Sequence, residues 1–412
     1  MRVASDVPSA YAKPRVVRFD RKPQLVTIRL RRAAVRVRGD WPWLLAVIAL
    51  TALGVALWLR VVEAKAYLYA DLQHFFQFAE IAFTRDHADY YASVADQRYT
   101  YAHLPFFPML LAPFYRVYTA FGWDPVLAVK TIVHAFDVGT AILLVALARR
   151  NGLGRTLALA VGIAWLFAPW VFESGALNGH AGAVAAFFFV ASVLRRHVPW
   201  QAGALLALAV CTRTEFIIAA LAFGGVYARS TWRALGGYAA GAAVPVALIV
   251  GPYVVRDWQA LHWGVVGHLQ GRGDGLPALR AIVQTVTGGF PDALAGPQDW
   301  AMPVAMAMAV AIGLMDRDHA RASFKASMIY ALALTLGHGR YFIFPLAAAM
   351  TYGARPGLWV PIGAWYVVEF FIPMSIDGRW IVRTMAIGLV LVWPLTRKIR
   401  GEPESRPAAE PA

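Results

Sequence analysis

The stretch AGAVAAFFFVASVLRRHVPWQAGALLALAVCTRTEFIIAALAFGGVYARS, residues 181–230, decides the fold class. It holds three apolar runs, over 181–194, 199–212 and 216–228, separated by short breaks at Arg195-Arg196-His197 and Arg213-Thr214-Glu215. Helices that cross about 30 Å of hydrocarbon need roughly 17–25 apolar residues, and shorter ones must be tilted, broken or shielded by neighbours. The pattern extends in both directions. Further spans are expected over 41–60, 125–148, 156–172, 233–255, 300–315, 324–337, 341–354, 357–374 and 380–396. The predicted fold is therefore all-α, a polytopic transmembrane bundle of about 12 spans.

Composition agrees. Of 412 residues, 59% are hydrophobic and 15% charged, with a mean hydropathy of +0.52. A soluble protein of this size carries about 25% charged residues, so a soluble α-protein is excluded. The formal net charge of +15 does not indicate nucleic acid, because the Arg and Lys residues fall between the apolar runs. That placement fits contact with anionic lipid and the fixing of topology. The single cysteine, Cys211, excludes an internal disulfide.

Short Arg-rich loops stay in the cytoplasm. Arg149-Arg150 to Arg155, Arg195-Arg196, Arg229 to Arg233, Arg317 to Lys325, Arg355 and Arg397 to Arg400 are thus placed inside, with both termini. Residues 1–40 form a basic cytoplasmic tail, 41–396 the membrane domain and 397–412 a second cytoplasmic tail. The first apolar run begins near Trp41 and is long enough to remain as a span rather than a cleaved signal. The outer loops are then 61–124, 173–180, 213–215, 256–299, 338–340 and 375–379. Pro105 to Phe121 is apolar but interrupted by Pro108 and Pro113 and carries Arg116; it is expected to be an interfacial or re-entrant helix in the first outer loop.

Ionisable residues at membrane depth are costly and generally line a cavity. The outer hairpins hold most of them, which points to a site at the outer membrane–water boundary. In the first outer loop, Asp71, His74 and Phe78 share a helical face. Asp71 reads either as a general base toward an acceptor hydroxyl or as an ordinary helix-capping or solvated acid. Tyrosines such as Tyr99 and Tyr101 suit either stacking on sugar rings or the interfacial aromatic belt. Arg213 and Glu215 read either as a ligand-facing pair or as an internal ion pair holding a broken hairpin. The glycine run Gly271-Arg272-Gly273-Asp274-Gly275 has no preceding strand and no trailing Lys-Ser/Thr, so it is no phosphate loop. No His/Cys/Asp cluster has metal-ligand spacing, so neither a catalytic metal nor a cofactor is expected.

Four segments together carry a resemblance. An early outer-loop acid followed by Tyr99-Thr100-Tyr101-Ala102-His103-Leu104-Pro105 is similar to the Tyr-x-Tyr-x-x-Pro region of polyprenyl-phosphate-sugar-dependent glycosyltransferases of the GT-C superfamily, the mannosyltransferases among them. Glu173 to His180 resembles the second outer loop of that family, Thr212-Arg213-Thr214-Glu215 its Thr-Arg-Pro-Glu hairpin, and His338-Gly339-Arg340-Tyr341 its late His-x-Arg-Tyr segment. The chain departs from the pattern in one extra residue between Tyr99 and Pro105, in offering Glu173, Asn178 and His180 where the second loop usually has an aspartate, and in lacking an acidic partner for Asp71.

The resemblance implies transfer of a sugar, with inversion, from a polyprenyl-phosphate carrier to an acceptor on the extracytoplasmic face. It implies that Arg340, His338 and Arg213 bind the donor phosphate, and that Tyr99, Tyr101, His103, Glu173, Asn178, His180 and Tyr341 shape the sugar or acceptor pocket. Membrane lipid and the lipid-linked sugar are the implied partners. The chemistry suits the residues: charge grows on a phosphate leaving group as the glycosidic bond breaks, and fixed cations stabilise it. The rival expectations are a transporter or flippase for a lipid-linked or anionic solute, and a scaffold without catalysis. A two-fold repeat would mark many transporters, and none is visible.

Overall fold

In the computed structural model, the residues described are 104–122, 124–166, 179–262, 301–333 and 343–353, with isolated positions at 47, 49, 51, 53, 54, 168, 171, 175 and 265. The chain divides into two units, Met1–Ala49 and Leu50–Ala412. In the first, Val47 and Ala49 are helical. Everything below concerns the second. Its described part is all-helical, with eleven α-helices, one 3-10 turn and no strand among the described residues.

The helices are α1 (Phe106–Phe121), α2 (Pro125–Arg150), α3 (Arg155–Leu166), α4 (Gly182–Leu194), α5 (Pro199–Thr212), α6 (Ile217–Ser230), α7 (Trp232–Ile249), α8 (Gly251–His262), α9 (Ala301–Met315), α10 (His319–Ala333) and α11 (Ile343–Gly353). Local chemistry sets their ends. Asp124 caps α2, its carboxylate accepting from the Val126 N–H at 2.9 Å, and Pro125 fills the first position, where no N–H is needed. Gly122 closes α1 in the left-handed region, φ 62°, which a side chain would resist. Thr231 caps α7 by accepting from the Ala234 N–H.

Packing relies on small residues. A Cβ on Gly203 would collide with the Tyr238 carbonyl, and one on Gly241 with the Trp200 carbonyl, so α5 and α7 touch backbone to backbone. The same holds for α6 and α9, where Gly225 and Gly313 face each other. Such close crossings let van der Waals contact hold helices together where no hydrophobic driving force exists.

Two helical segments, Ala128–Arg150 and Trp232–Ile249, are long and apolar enough to cross a membrane. Only 17% of the apolar window of α7 is buried by protein, with Trp232, Val244 and Leu248 exposed. The other apolar helices, α3, α4, α5, α9 and α11, are shorter.

The expected breaks at 195–198 and 213–215 fall where the chain turns. Three boundaries differ. The helix of the span expected over 233–255 runs through Pro245 and ends at Ile249, with a turn at Val250 before α8 begins. The outer loop expected from 256 is helical to His262, with a kink at Asp257, whose carboxylate leaves the first helix and caps the next turn through the Ala260 N–H. The helix of the span expected at 324 already begins at His319, since Asp318 accepts from the Arg321 N–H and starts it earlier. The helix expected over Pro105 to Phe121 is found at Phe106–Phe121, with Pro105 as its N-cap and Pro113 inside. The tails, the 61–103 loop and the spans 357–374 and 380–396 lie outside the described residues.

The loop arginines have a further use. Arg150 donates to the Leu194 carbonyl at the end of α4, Arg196 to Val193, and Arg229 to the Leu314 carbonyl at the end of α9. Each guanidinium meets the orphan carbonyls and negative dipole end of a helix C-terminus.

Candidate functional site

The turn between α5 and α6 holds the central ion pair. At Arg213 the backbone leaves the helix (φ −144°, ψ 117°), and Thr214–Phe216 forms a single 3-10 turn. The break swings two side chains together that a continuous helix would point apart. Arg213 Nε donates to Glu215 Oε1 at 2.6 Å. Arg213 Nη1 donates to His180 Nδ1 at 2.9 Å. An arginine only donates, so Nδ1 accepts and the neutral His180 ring carries its proton on Nε2. All three residues are buried, Arg213 completely.

Aromatic packing fixes this cluster. Phe216 lies 5.8 Å from Phe189 of α4 and 4.9 Å from Phe344 of α11, centroid to centroid, and Tyr330 of α10 lies 5.6 Å from Phe344. A Cβ on Gly182 would press on Ile343, so α4 and α11 start side by side. The first residues of α11, Ile343 and Phe344, therefore meet the start of α4 and the Arg213–Phe216 turn. Two of the motif-bearing segments thus meet, through His180 and Arg213, beside the start of α11.

Of the expected site residues, the structure places His180 and Arg213 in direct contact. It makes Glu215 the partner of Arg213, the internal ion pair that was one of the two open readings. Asp71, Tyr99, Tyr101, His103, Glu173, Asn178, His338, Arg340 and Tyr341 lie outside the described residues. Leu104 and Phe106, which follow His103, pack against the core that also holds Ala181, Ala183 and Cys211.

Sequence reasoning missed a second polar feature. Lys130, His134 and Asp137 lie on α2 at spacings of four and three, within an arc of about 60°. All three are buried, at 8%, 7% and 2% exposure. The spacing was there to be read, but the search for chemistry followed loops rather than spans. Gly175, in the 173–180 segment, touches this stripe: a Cβ there would collide with the Asp137 carboxyl.

A third cluster closes the α9–α10 turn. Asp316 pairs with Arg321, Nη2 to Oδ1 at 2.7 Å, and with Lys325 at 3.0 Å, and accepts from the backbone N–H groups of Arg317 and Asp318. Burial raises its pKa, but the hydrogen bonds and charges of Arg321 and Lys325 outweigh this and hold it below the ordinary value. Beside it, His319 packs on Phe223 and Tyr227, and burial pushes its pKa down to about 4.

The fold and these clusters define a helical protein with helices fit to cross a membrane and a buried His–Arg–Glu triad. Compared with family models, curated proteins and solved structures, the chain matches none.

Proposed function

We propose that the chain is a multi-pass membrane glycosyltransferase that takes its sugar from a polyprenyl-phosphate carrier and transfers it, with inversion, at the extracytoplasmic face. The observation that carries this reading is the meeting of His180 at the head of α4, the Arg213–Glu215 turn and the start of α11, three residues beyond Arg340. The resemblance to GT-C enzymes calls for those segments in one place, and the contact of His180 with Arg213 beside the start of α11 supports it.

In this reading about a dozen spans carry the site, with Arg-rich loops and both termini inside. Asp71 removes the proton from the acceptor hydroxyl as that oxygen attacks the anomeric carbon. The bond to the carrier phosphate breaks, and the phosphate leaves with its growing charge held by Arg340 and His338. Arg213 adds a fixed cation beneath them and holds His180 in one orientation, while Glu215 keeps Arg213 from collapsing onto another carbonyl. Tyr99, Tyr101, His103, Glu173, Asn178 and Tyr341 complete the pocket.

The test is an assay of the full chain in liposomes with a panel of radiolabelled polyprenyl-phosphate sugars. One donor should yield free polyprenyl phosphate and a labelled acceptor. Movement of an intact lipid-linked sugar between leaflets, with no bond cleaved, would make the transporter reading right and this one wrong.

A further inference from the structure

The stripe on α2 has no part in the transfer chemistry. α2 is one of the two helices long and apolar enough to span, and Asp137 is twelve residues in from its start. At 1.5 Å per residue that is about 18 Å, near the middle of a hydrocarbon layer about 30 Å thick. The side chain is 2% exposed, and neither carboxyl oxygen has a hydrogen bond. The Trp165 indole of α3 lies beside it, its N–H also without a partner of hydrogen-bond geometry. A charged carboxylate so placed, with no cation among the described residues and only a poorly aligned indole donor beside it, costs far more than a fold of marginal stability tolerates.

Among the described residues, the helices packed on α2 bring no fixed cation to Asp137. α4 and α11, both packed on α2, contain no acid or base apart from Tyr352 in the last turn of α11. On α3 the one charged residue, Arg155, is at the end opposite Trp165. On α1, Arg116 is exposed; Tyr115 and Tyr118 are its other titratable groups. On α2 itself, His134 lies one turn toward the start of the helix and Lys130 one turn further.

His134 is set up to pass a proton. Its Nε2 is 2.7 Å from the Gly54 carbonyl oxygen. A carbonyl only accepts, so Nε2 carries the hydrogen and Nδ1 is the basic nitrogen. Intramembrane chains of His and Asp are the usual material of proton relays.

We propose that Asp137 is a proton-binding site within the membrane span, filled along α2 by way of His134. A proton arriving from the start of the helix binds His134 Nδ1. The ring then releases it to a carboxyl oxygen of Asp137, forming the neutral acid and restoring neutral imidazole. Gly175 lies directly against the Asp137 carboxyl, where a Cβ would collide with it. The site is independent of sugar transfer and stands whether or not that activity does.

The experiment uses the full chain in liposomes and dicyclohexylcarbodiimide, which enters the bilayer and attacks protonated carboxyls. Asp137 should form the adduct, less of it as pH rises, and a water-soluble carbodiimide should give none there. Infrared spectra should show a protonated carboxyl C=O band that Asp137→Asn removes. Asp137→Glu, which retains an acid, should keep the band at a shifted position and guards against loss of the Asn variant to misfolding. In deuterated water the band should shift, and several-fold more slowly in His134→Gln. No adduct at Asp137 at any pH, or an adduct with the water-soluble reagent, would overturn the site. An unchanged exchange rate in His134→Gln would overturn the route.

Discussion

The Arg213–Glu215 pair and the Asp316–Arg321–Lys325 network are built from the same charges in different surroundings. Arg213 and Glu215 side chains are 0% and 6% exposed, whereas Arg321 and Lys325 are 28% and 36% exposed around a buried Asp316. The first is dry on both sides and tied to a histidine that precedes α4. The second has one dry partner and two that reach water, and it is local to one turn. Burial raises the cost of breaking a pair without raising the benefit of making it. A wet network contributes little per pair, but here its acid also satisfies two backbone N–H groups at a helix start. The dry pair therefore fits a site that must keep one geometry, and the wet network fits a hinge-free turn.

The largest effect is expected from the dry pair. Arg213→Ala leaves Glu215 buried without its cation and should cost about 3–5 kcal/mol, read as a large fall in Tm in detergent. Replacing both residues with apolar ones of similar volume, Arg213→Met with Glu215→Leu, should recover most of that stability but not activity. If the single variant is as stable as the parent, the pair is not dry and the comparison fails.

Next comes the pH response of the α9–α10 turn. The folded value for His319 is about 4 against an ordinary 6.5, so the fold prefers the neutral ring. The unfolded chain binds the extra proton between those values. Stability should thus be complete above pH 6.5 and fall by about 3 kcal/mol as pH drops to 4, a slope that His319→Phe abolishes. Asp316 acts in a lower window. Its folded value lies below 3.8, so its contribution is present above that pH and is lost as pH falls through the folded value. Thermal melts across pH 3 to 8, on the order of ten points, check both signs.

The smallest effect sharpens the contrast. Arg321→Ala should cost about 1 kcal/mol or less, since Lys325 and two backbone donors remain. High salt should shrink even that difference while leaving the Arg213→Ala cost unchanged, because buried pairs are screened far less.

The helical class and several turns among the described residues were legible because arginines interrupt apolar runs of helix-forming length. The breaks at Arg195-Arg196 and at Arg213 were visible for that reason. The finer ends were not: the cap at Asp257 and the early start at His319 depend on which oxygen finds which N–H. The site was legible only in part. His180 and Arg213 are 33 residues apart, and no spacing rule joins them; a shared sidedness did. That Arg213 would turn to Glu215 could not be read, because residues two apart diverge on a helix and converge only if it breaks. Asp137 went unread because a single acid within a span looks like a tolerated exception until its neighbours prove to hold no partner.

The central claim is that an acid in the first outer loop activates the acceptor for a sugar held on a lipid phosphate. Asp71→Asn tests it most directly, with transfer and donor binding measured on the same liposomes. Loss of a general base costs about 100- to 10,000-fold in rate. The variant should reach the membrane in normal amount, bind donor as the parent does, and lose transfer by that factor, while Asp86→Asn, Asp89→Asn and Asp96→Asn stay within a few-fold. Transfer by Asp71→Asn at the parent rate would contradict the account.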